Sequence, residues 1–476
     1  MTSLRRRRPA QANARHLAFW ALYHCLEEGR TAKEAFHLAT ERLAVQASTP
    51  PFYRRARQLF YRCLEVLPQL DAMLRQQAGR SLAKIETGAR LGLRLAQTEC
   101  FFSSQPQMGP AIHAWVDLIR YYGHEGLARF SNAILRGLLR RGIREAEDYE
   151  DWARAYQLQY PEQAAAYRRI WEGLSQRAAA WGQEGLLGSF ADFLQAAQQP
   201  RKMELHLGPE VWDHLPPSEQ DLLQPAPWPP GLCQVSQLPD GLEGLSCWRE
   251  GQAWVQGAAA QAACWLLPLP GKFGVKVWDC CAAPGGKTLL LHERLQAQEA
   301  AGRIWASDAE ERRLGRLTEN LCRLGLAAEG QIQTCKGRAQ DLAPQLAPEM
   351  DLVYCDVPCS SSGLFGSEKE LPYLFRPASQ DLLNAQQEIV QACAAHLRPG
   401  ACLCYSSCSW DGRENEEQIE AFLASSSGSD YELLPAPEPP EGGWPPGVLI
   451  RPQKAMYYFL PPHYAGFFLA CLRRKA

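Results

Sequence analysis

The chain has 476 residues, 46% hydrophobic and 21% charged, a balance that excludes a disordered protein and suggests about three domains. The formal charge of −2 suggests no polyanion partner, yet residues 1–150 hold 23 Lys and Arg against 14 Asp and Glu, leaving the remainder acidic. The 17 cysteines would suit a disulfide scaffold only in a short secreted chain; spread from Cys25 to Cys471, several in apolar runs, they read as reduced thiols.

Met1 to Leu26 is Arg-rich and free of acids, which raises a mitochondrial transit peptide. The helical pattern that starts there continues into the fold, so the Arg5–Arg8 run reads as a basic arm and the expected location is the cytoplasm. No stretch approaches the ~18 apolar residues of a membrane span. From Asn13 to Gly142 apolar residues recur at helical spacing, as in Leu17, Leu22, Leu26, then Leu59, Phe60, Cys63, Leu64, then Ile134, Leu135, Leu138. An all-helical domain carrying the basic excess points to RNA.

Residues 144–200 predict connecting helices, and the Pro- and Gly-rich stretch 200–250, with its strand-like Met203–Leu207, a small α+β subdomain. From Gly257 strand-like runs (Val275–Asp279, Arg303–Asp308, Gln331–Cys335, Asp351–Asp356, Ala401–Ser406) alternate with helices such as Glu310–Leu324 and Gln380–Leu397. Such alternation predicts a doubly wound, mostly parallel sheet with ligands at the carboxyl ends of its strands. The expected domains are 1–143, 144–256 and 257–476.

The first strand runs into "CCAAPGGKT". Gly285 and Gly286 would let a ligand approach the backbone at a helix N-terminus, and Asp308, about 20 residues on, is placed to hold a ribose. Gly286-Lys287-Thr288 mimics the end of a P-loop, but Cys281 stands where that motif needs Gly, and Pro284 lacks the N–H that a phosphate cradle uses. S-Adenosylmethionine, bound through ribose and adenine, fits better. The fourth strand ends in "DVPCSSSG" and the fifth in "YSSCS", which would gather Asp356, Cys359 and Cys408 beside the methyl donor. Carbon 5 of a pyrimidine is a poor nucleophile until a thiolate adds to carbon 6 and makes the ring an enamine. Zinc at Cys402, Cys404 and Cys408 is the other reading. Cys402 and Cys404 alternate with apolar residues on a strand, with no His or CxxC nearby, so no metal is expected. Cys355, Cys393, Cys402 and Cys404 read as core, and Cys280 is ambiguous.

"RHLAFWALYHCLEEGRTAKEAF", "RQLFYRCLEVLPQLDAML" and "ARFSNAILRGLLRRG" resemble the helical RNA-binding domain of the NusB antitermination factors. "DCCAAPGGKT", "DVPCSSSG" and "YSSCS", followed by "ENEEQIEAFL", resemble the RNA cytosine-C5 methyltransferases of the Nol1/Nop2/Sun family. The resemblance implies a multi-domain chain: an all-α NusB-like domain, a small α+β subdomain, and an α/β Rossmann-like S-adenosylmethionine-dependent methyltransferase domain. It implies Cys408 as the nucleophile, Cys359 in product release, Asp356 at cytosine N3, and Lys287 at the junction of base and cofactor. Cys281, Ala282, Ala283, Pro284, Gly285, Gly286 and Lys287, with Asp308 and Asp356, would line the cofactor site. The chain departs from the family at Ser407, where Thr is usual, and at Lys336, where an acid is usual and Asp341 is a possible substitute. The expected partner is small-subunit ribosomal RNA and the expected state a monomer. Transfer RNA as substrate, and a non-catalytic RNA-binding assembly factor, stay open as alternatives.

Overall fold

The computed structural model describes residues 9, 11–45, 50–102, 108–141, 151–199, 201–236, 238, 241–271, 273–299, 301–328, 330–440 and 443–476. The Arg5–Arg8 run and the expected boundary at 143 lie outside these residues. The chain divides into two compact units. One holds Met1–Arg168 with Glu368–Arg376, the other Arg169–Ser367 with Pro377–Ala476. Among the described residues no helix is long and apolar enough to cross a membrane.

The first unit is helical, with α1 (Ala14–Leu26), α2 (Ala32–Leu43), α3 (Pro50–Glu65), α4 (Leu67–Ala78), α5 (Thr87–Phe101), α6 (Met108–Tyr122), α7 (Glu125–Arg140) and α8 (Trp152–Gln159). Local chemistry sets the ends: the Asn13 side chain accepts the N–H groups of Arg15 and His16 at the start of α1, and Thr31 caps α2. α5 is buried around nearly its whole circumference, the mark of a central helix. Its charges are therefore paired. Arg94 grips Asp71 through two hydrogen bonds of 2.8 Å, and Tyr160 donates to the same carboxylate at 2.7 Å. Glu99 accepts from Arg15, Arg55 and Trp115; burial raises its pKa, but the Arg15 bonds outweigh burial and hold it below the ordinary carboxylate value.

The segment Glu368–Arg376, far along the chain, completes this helical unit. Tyr373 donates to the Leu64 carbonyl at 2.6 Å, Tyr156 donates to the Pro372 carbonyl at 2.7 Å, and the Ala32 N–H donates to Glu370 at 2.7 Å. Pro372, Tyr373 and Phe375 are buried.

In the second unit, β1 (Glu204–Leu207), β2 (Leu223–Pro225), β3 (Leu232–Val235) and β4 (Ala253–Val255) form an antiparallel sheet in the order β2-β3-β1-β4. Leu205, Leu207, Leu223, Cys233, Val235 and Ala253 pack into its own small core. The larger sheet contains β5 (Lys276–Asp279), β6 (Arg303–Asp308), β7 (Ile332–Lys336), β8 (Leu352–Asp356), β9 (Cys402–Ser407), β10 (Tyr431–Leu433), β11 (Val448–Ile450), β12 (Met456–Phe459) and β13 (Phe467–Arg474). Its order is β11-β12-β13-β9-β8-β5-β6-β7, with β10 also on β13.

The β5–β9 half is parallel and doubly wound, as its alternation with helices predicts. The β10–β13 half is antiparallel, so the sheet is mixed rather than mostly parallel. β12 is buried along its whole length and β13 nearly so, leaving no alternation to announce them as strands. The strand order reverses at β5, which has β6 on one side and β8 on the other; ligand crevices form at such a point.

Candidate active site

Four strand ends meet at the reversal, and each passes its next residues to one place. After β5 the chain turns through Cys280–Gly285 into the helix Gly286–Ala297. The turn is pinned to its neighbours: Cys280 N–H donates to Tyr354 O at 3.0 Å, Ala282 N–H to Ser307 O at 2.8 Å, and Gly285 N–H to Ala282 O at 2.8 Å. Gly285 has φ 106°, and a Cβ there would stand 2.3 Å from Leu317 Cδ1, so conformation and space both demand glycine. The helix Glu311–Arg323 holds the turn from outside, Arg313 donating to Ala283 O at 2.9 Å and Asn320 to Pro284 O at 3.2 Å. A cavity of about 260 Å³ lies against the turn, lined by Ala282, Pro284, Gly286 and Lys287 and by Trp254 and Gln256 of the small subdomain.

Asp308, at the end of β6, is buried beside this turn. Its Oδ2 accepts the Ala283 N–H at 3.3 Å and its Oδ1 the Glu310 N–H at 3.0 Å, with Arg313 3.6 Å away. A carboxylate has about four acceptor positions, so each oxygen retains capacity for a ligand hydroxyl. Asp279, last in β5, is fully buried; Thr288 donates to Oδ2 at 2.7 Å and Oδ1 has no partner. Burial, opposed by the Thr288 bond, pushes its carboxyl up to about 7.

Lys287 and the ends of β8 and β9 form the polar centre. Lys287 Nζ lies 2.7 Å from Asp356 Oδ2, and Ser406 donates to Asp356 Oδ1 at 2.7 Å. Burial disfavours the ammonium, but Asp356 outweighs it and holds the Lys287 amine above its ordinary value. Beyond Asp356 the loop carries Cys359, and beyond β9 the chain carries Cys408. Their Sγ atoms are 2.8 Å apart, and Cys408 Sγ is 3.5 Å from Ser361 Oγ. The hydrogen bond from Cys359 lowers the Cys408 pKa against the cost of burial, with help from Ser361 and Lys287, whereas Cys359 is raised. Cys408 is thus the thiol that ionises first.

Two residues that the sequence reading did not single out hold these cysteines in place. Glu414, fully buried, accepts from the Ser360 N–H (2.8 Å) and hydroxyl (2.5 Å), the Ser409 hydroxyl (2.6 Å) and the Gln386 amide (3.0 Å). Asn415 accepts from the Ser407 hydroxyl at 2.6 Å and donates to the Ser409 carbonyl at 2.9 Å. One carboxylate therefore joins the residue after Cys359 to the residue after Cys408. The signal was the run "ENEEQIEAFL", unusually acidic for a segment entering a buried helix. Gly363 makes the third tie, its carbonyl accepting the Gly466 N–H at 2.7 Å; a Cβ on Gly363 would lie 2.5 Å from Gly466 Cα.

The structure thus brings together Lys287, Asp356, Cys359 and Cys408, with Cys281–Gly286 and Asp308 around the neighbouring turn. It does not gather the third-motif residues. Lys336 ends β7 in an exposed ion pair with Glu311 at 2.6 Å, and Asp341 stands exposed in the first turn of the helix Ala339–Leu346.

Two family models match this chain. Residues 12–140 match the NusB family, and residues 263–473, which carry the site just described, match the 16S rRNA methyltransferase RsmB/F model. The second stretch is thus similar to the RsmB/F methyltransferases. Among RsmB/F relatives, the probable ribosomal RNA small subunit methyltransferase B of Synechocystis is 29% identical over 440 residues, 90% of this chain and 92% of the relative. The ribosomal RNA small subunit methyltransferase B of Vibrio vulnificus is 37% identical over 221 residues, 44% of this chain and about half (48%) of that protein. The crystal structure of PH0851 shares the fold across 98% of this chain and 99% of its own, with a TM-score of 0.66 and 22% identity.

Proposed function

We propose that this protein methylates carbon 5 of a cytosine in small-subunit ribosomal RNA, using Cys408 as nucleophile and S-adenosylmethionine as donor. The reading rests on one juxtaposition: two thiols 2.8 Å apart, the more easily ionised one on Cys408, beside the Lys287–Asp356 pair. The names of the relatives support ribosomal RNA as the substrate class.

The residues present fit the cofactor. Asp308 keeps acceptor capacity on both carboxylate oxygens for a ribose diol. The turn Cys281–Gly286, Lys287, Asp308 and Asp356 would surround it. When bound, S-adenosylmethionine supplies an electrophilic methyl on a sulfonium, whose positive charge also favours thiolate over thiol.

Cys408 would add as thiolate to carbon 6 of the cytosine, forming a C–S bond and pushing electron density to carbon 5. Asp356, held by Lys287 and Ser406, would act in its protonated form, passing a proton to N3 as the thiolate adds and so neutralising the charge that addition creates. Once carbon 5 has taken the methyl group, its proton must leave as the C6–S bond breaks and the Cys408 thiolate departs. Cys359, in its thiolate form, would take that proton and so serve the release. The base must be out of its stack, because neither carbon is reachable inside a duplex. The helical unit, with Arg54, Arg55 and Arg57 exposed along α3, would supply salt-sensitive phosphate contacts.

The deciding experiment is transfer of labelled methyl to unmodified small-subunit ribosomal RNA, with nucleoside analysis and Cys408→Ala as control. 5-Methylcytidine made by the parent and lost in the variant is the expected result. Transfer only to transfer RNA would overturn the substrate, and RNA binding without transfer to either would overturn the enzyme.

A further inference from the structure

Three thiols that the proposed chemistry leaves unused converge inside the second unit. Cys280 is the first residue after β5, Cys355 lies in β8 next to Asp356, and Cys393 is on the helix Gln380–His396. Their Sγ atoms all lie within 4.8 Å of one another, and all three residues are buried. Successive strand residues face opposite sides of a sheet, so the trio and the Asp356 carboxylate lie on opposite faces of β8. Sequence spacing gives no warning of this cluster, because each thiol comes from a different element.

We infer that Cys280, Cys355 and Cys393 form a three-sulfur binding site for a soft monovalent d10 ion, of which copper(I) is the biological representative. Sulfur-only donor sets select copper(I), zinc and iron–sulfur clusters from the common metals. Closed zinc sites and cubane or rhombic clusters require four protein ligands, and among the described residues three thiols meet here. The neighbouring Cys281 thiol shares a hydrogen bond with that of Cys280 but stands outside the trio. Copper(I) is satisfied by three sulfurs and needs no water in a site that admits none.

On binding, three Cu–S bonds form, three S–H bonds break and three protons leave for solvent; no oxidant or reductant takes part. The bound ion would tie the start of the turn after β5 and the end of β8 to one helix, stiffening the two strand ends that carry the candidate active site.

The test is anaerobic titration of the reduced full-length protein with copper(I) against a competing chelator, X-ray absorption at the copper edge, and the melting temperature. Because Cys359 and Cys408 are themselves a thiol pair, the titration is repeated in a Cys359→Ser, Cys408→Ser background. The expected result is one copper per chain with a sulfur-only shell and a raised melting temperature in both backgrounds. Cys280→Ala, Cys355→Ala and Cys393→Ala should each weaken binding by at least about tenfold, while the exposed Cys322→Ser leaves it unchanged. Cys393→Ser, close in size but a poor soft ligand, separates loss of the site from loss of the fold, which circular dichroism monitors in parallel. Binding that disappears with Cys359 and Cys408, or that survives all three alanine variants, or that never competes with the chelator, would each overturn the assignment.

Discussion

The Sγ of Cys408 sits 2.8 Å from the Sγ of Cys359, and the bond between them favours the thiolate on Cys408. Alkylation by iodoacetamide, followed by peptide mass mapping, should therefore modify Cys408 ahead of Cys359 at neutral pH. Cys359→Ala removes the hydrogen bond that lowers the Cys408 pKa. The pH midpoint of Cys408 alkylation should move upward in that variant, and an unmoved midpoint would contradict the pairing.

Glu414 makes a separate prediction, because it accepts from both cysteine-bearing loops. Glu414→Gln retains the shape but offers one acceptor oxygen and turns an amide N–H₂ toward groups that are donors. Stability should fall by about 2 kcal/mol and methyl transfer by about 100-fold, since small misplacement of reacting groups is costly. Cofactor affinity, measured by calorimetry, should stay near the parent value. A parallel loss of cofactor binding would show that Glu414 supports the whole crevice rather than the cysteine loops.

Asp279 gives the cofactor-free protein a pH signature. Its carboxyl is raised from 3.8 to about 7, so the folded chain holds a proton that the unfolded chain has released. That contribution to stability is complete below the unfolded value and is lost as pH rises through the folded one. Between about pH 4 and about pH 7 the melting temperature of the parent should fall relative to Asp279→Asn, which stays neutral throughout. Parallel curves would rule out the raised carboxyl.

In the helical unit, Arg94→Met would strand the Asp71 carboxylate, 1% exposed and left with Tyr160 alone. Breaking a buried ion pair in this way costs about 3–5 kcal/mol. Chemical denaturation should detect that loss in the transition of the helical unit, and a loss under about 1 kcal/mol would mean that water reaches the site.

The legible parts of this protein were those whose chemistry is local in sequence. Cys359, Cys408, Asp356 and the turn around Gly285 could be located because each follows a strand within a few residues, and strand order then carries them together. Helical periodicity likewise revealed α1, α3 and α7. Hidden were the features made by distant residues: the four donors around Glu414, the Cys280–Cys355–Cys393 trio, and the attachment of Glu368–Arg376 to the helical unit. β12 and β13 escaped for a different reason, since burial on both faces erases the alternation by which a strand is recognised.

That attachment has a consequence for how the molecule is made. Arg168 leaves the ribosome long before Tyr373, yet the backbone of α3 receives its partner from Tyr373 and that of α2 from Glu370. The leading helices must wait, with an apolar seam still open, while all of the small sheet and the first four strands of the large one are translated. The first unit in sequence is thus completed only after much of the second has been made, so the two are interleaved along the chain rather than sequential.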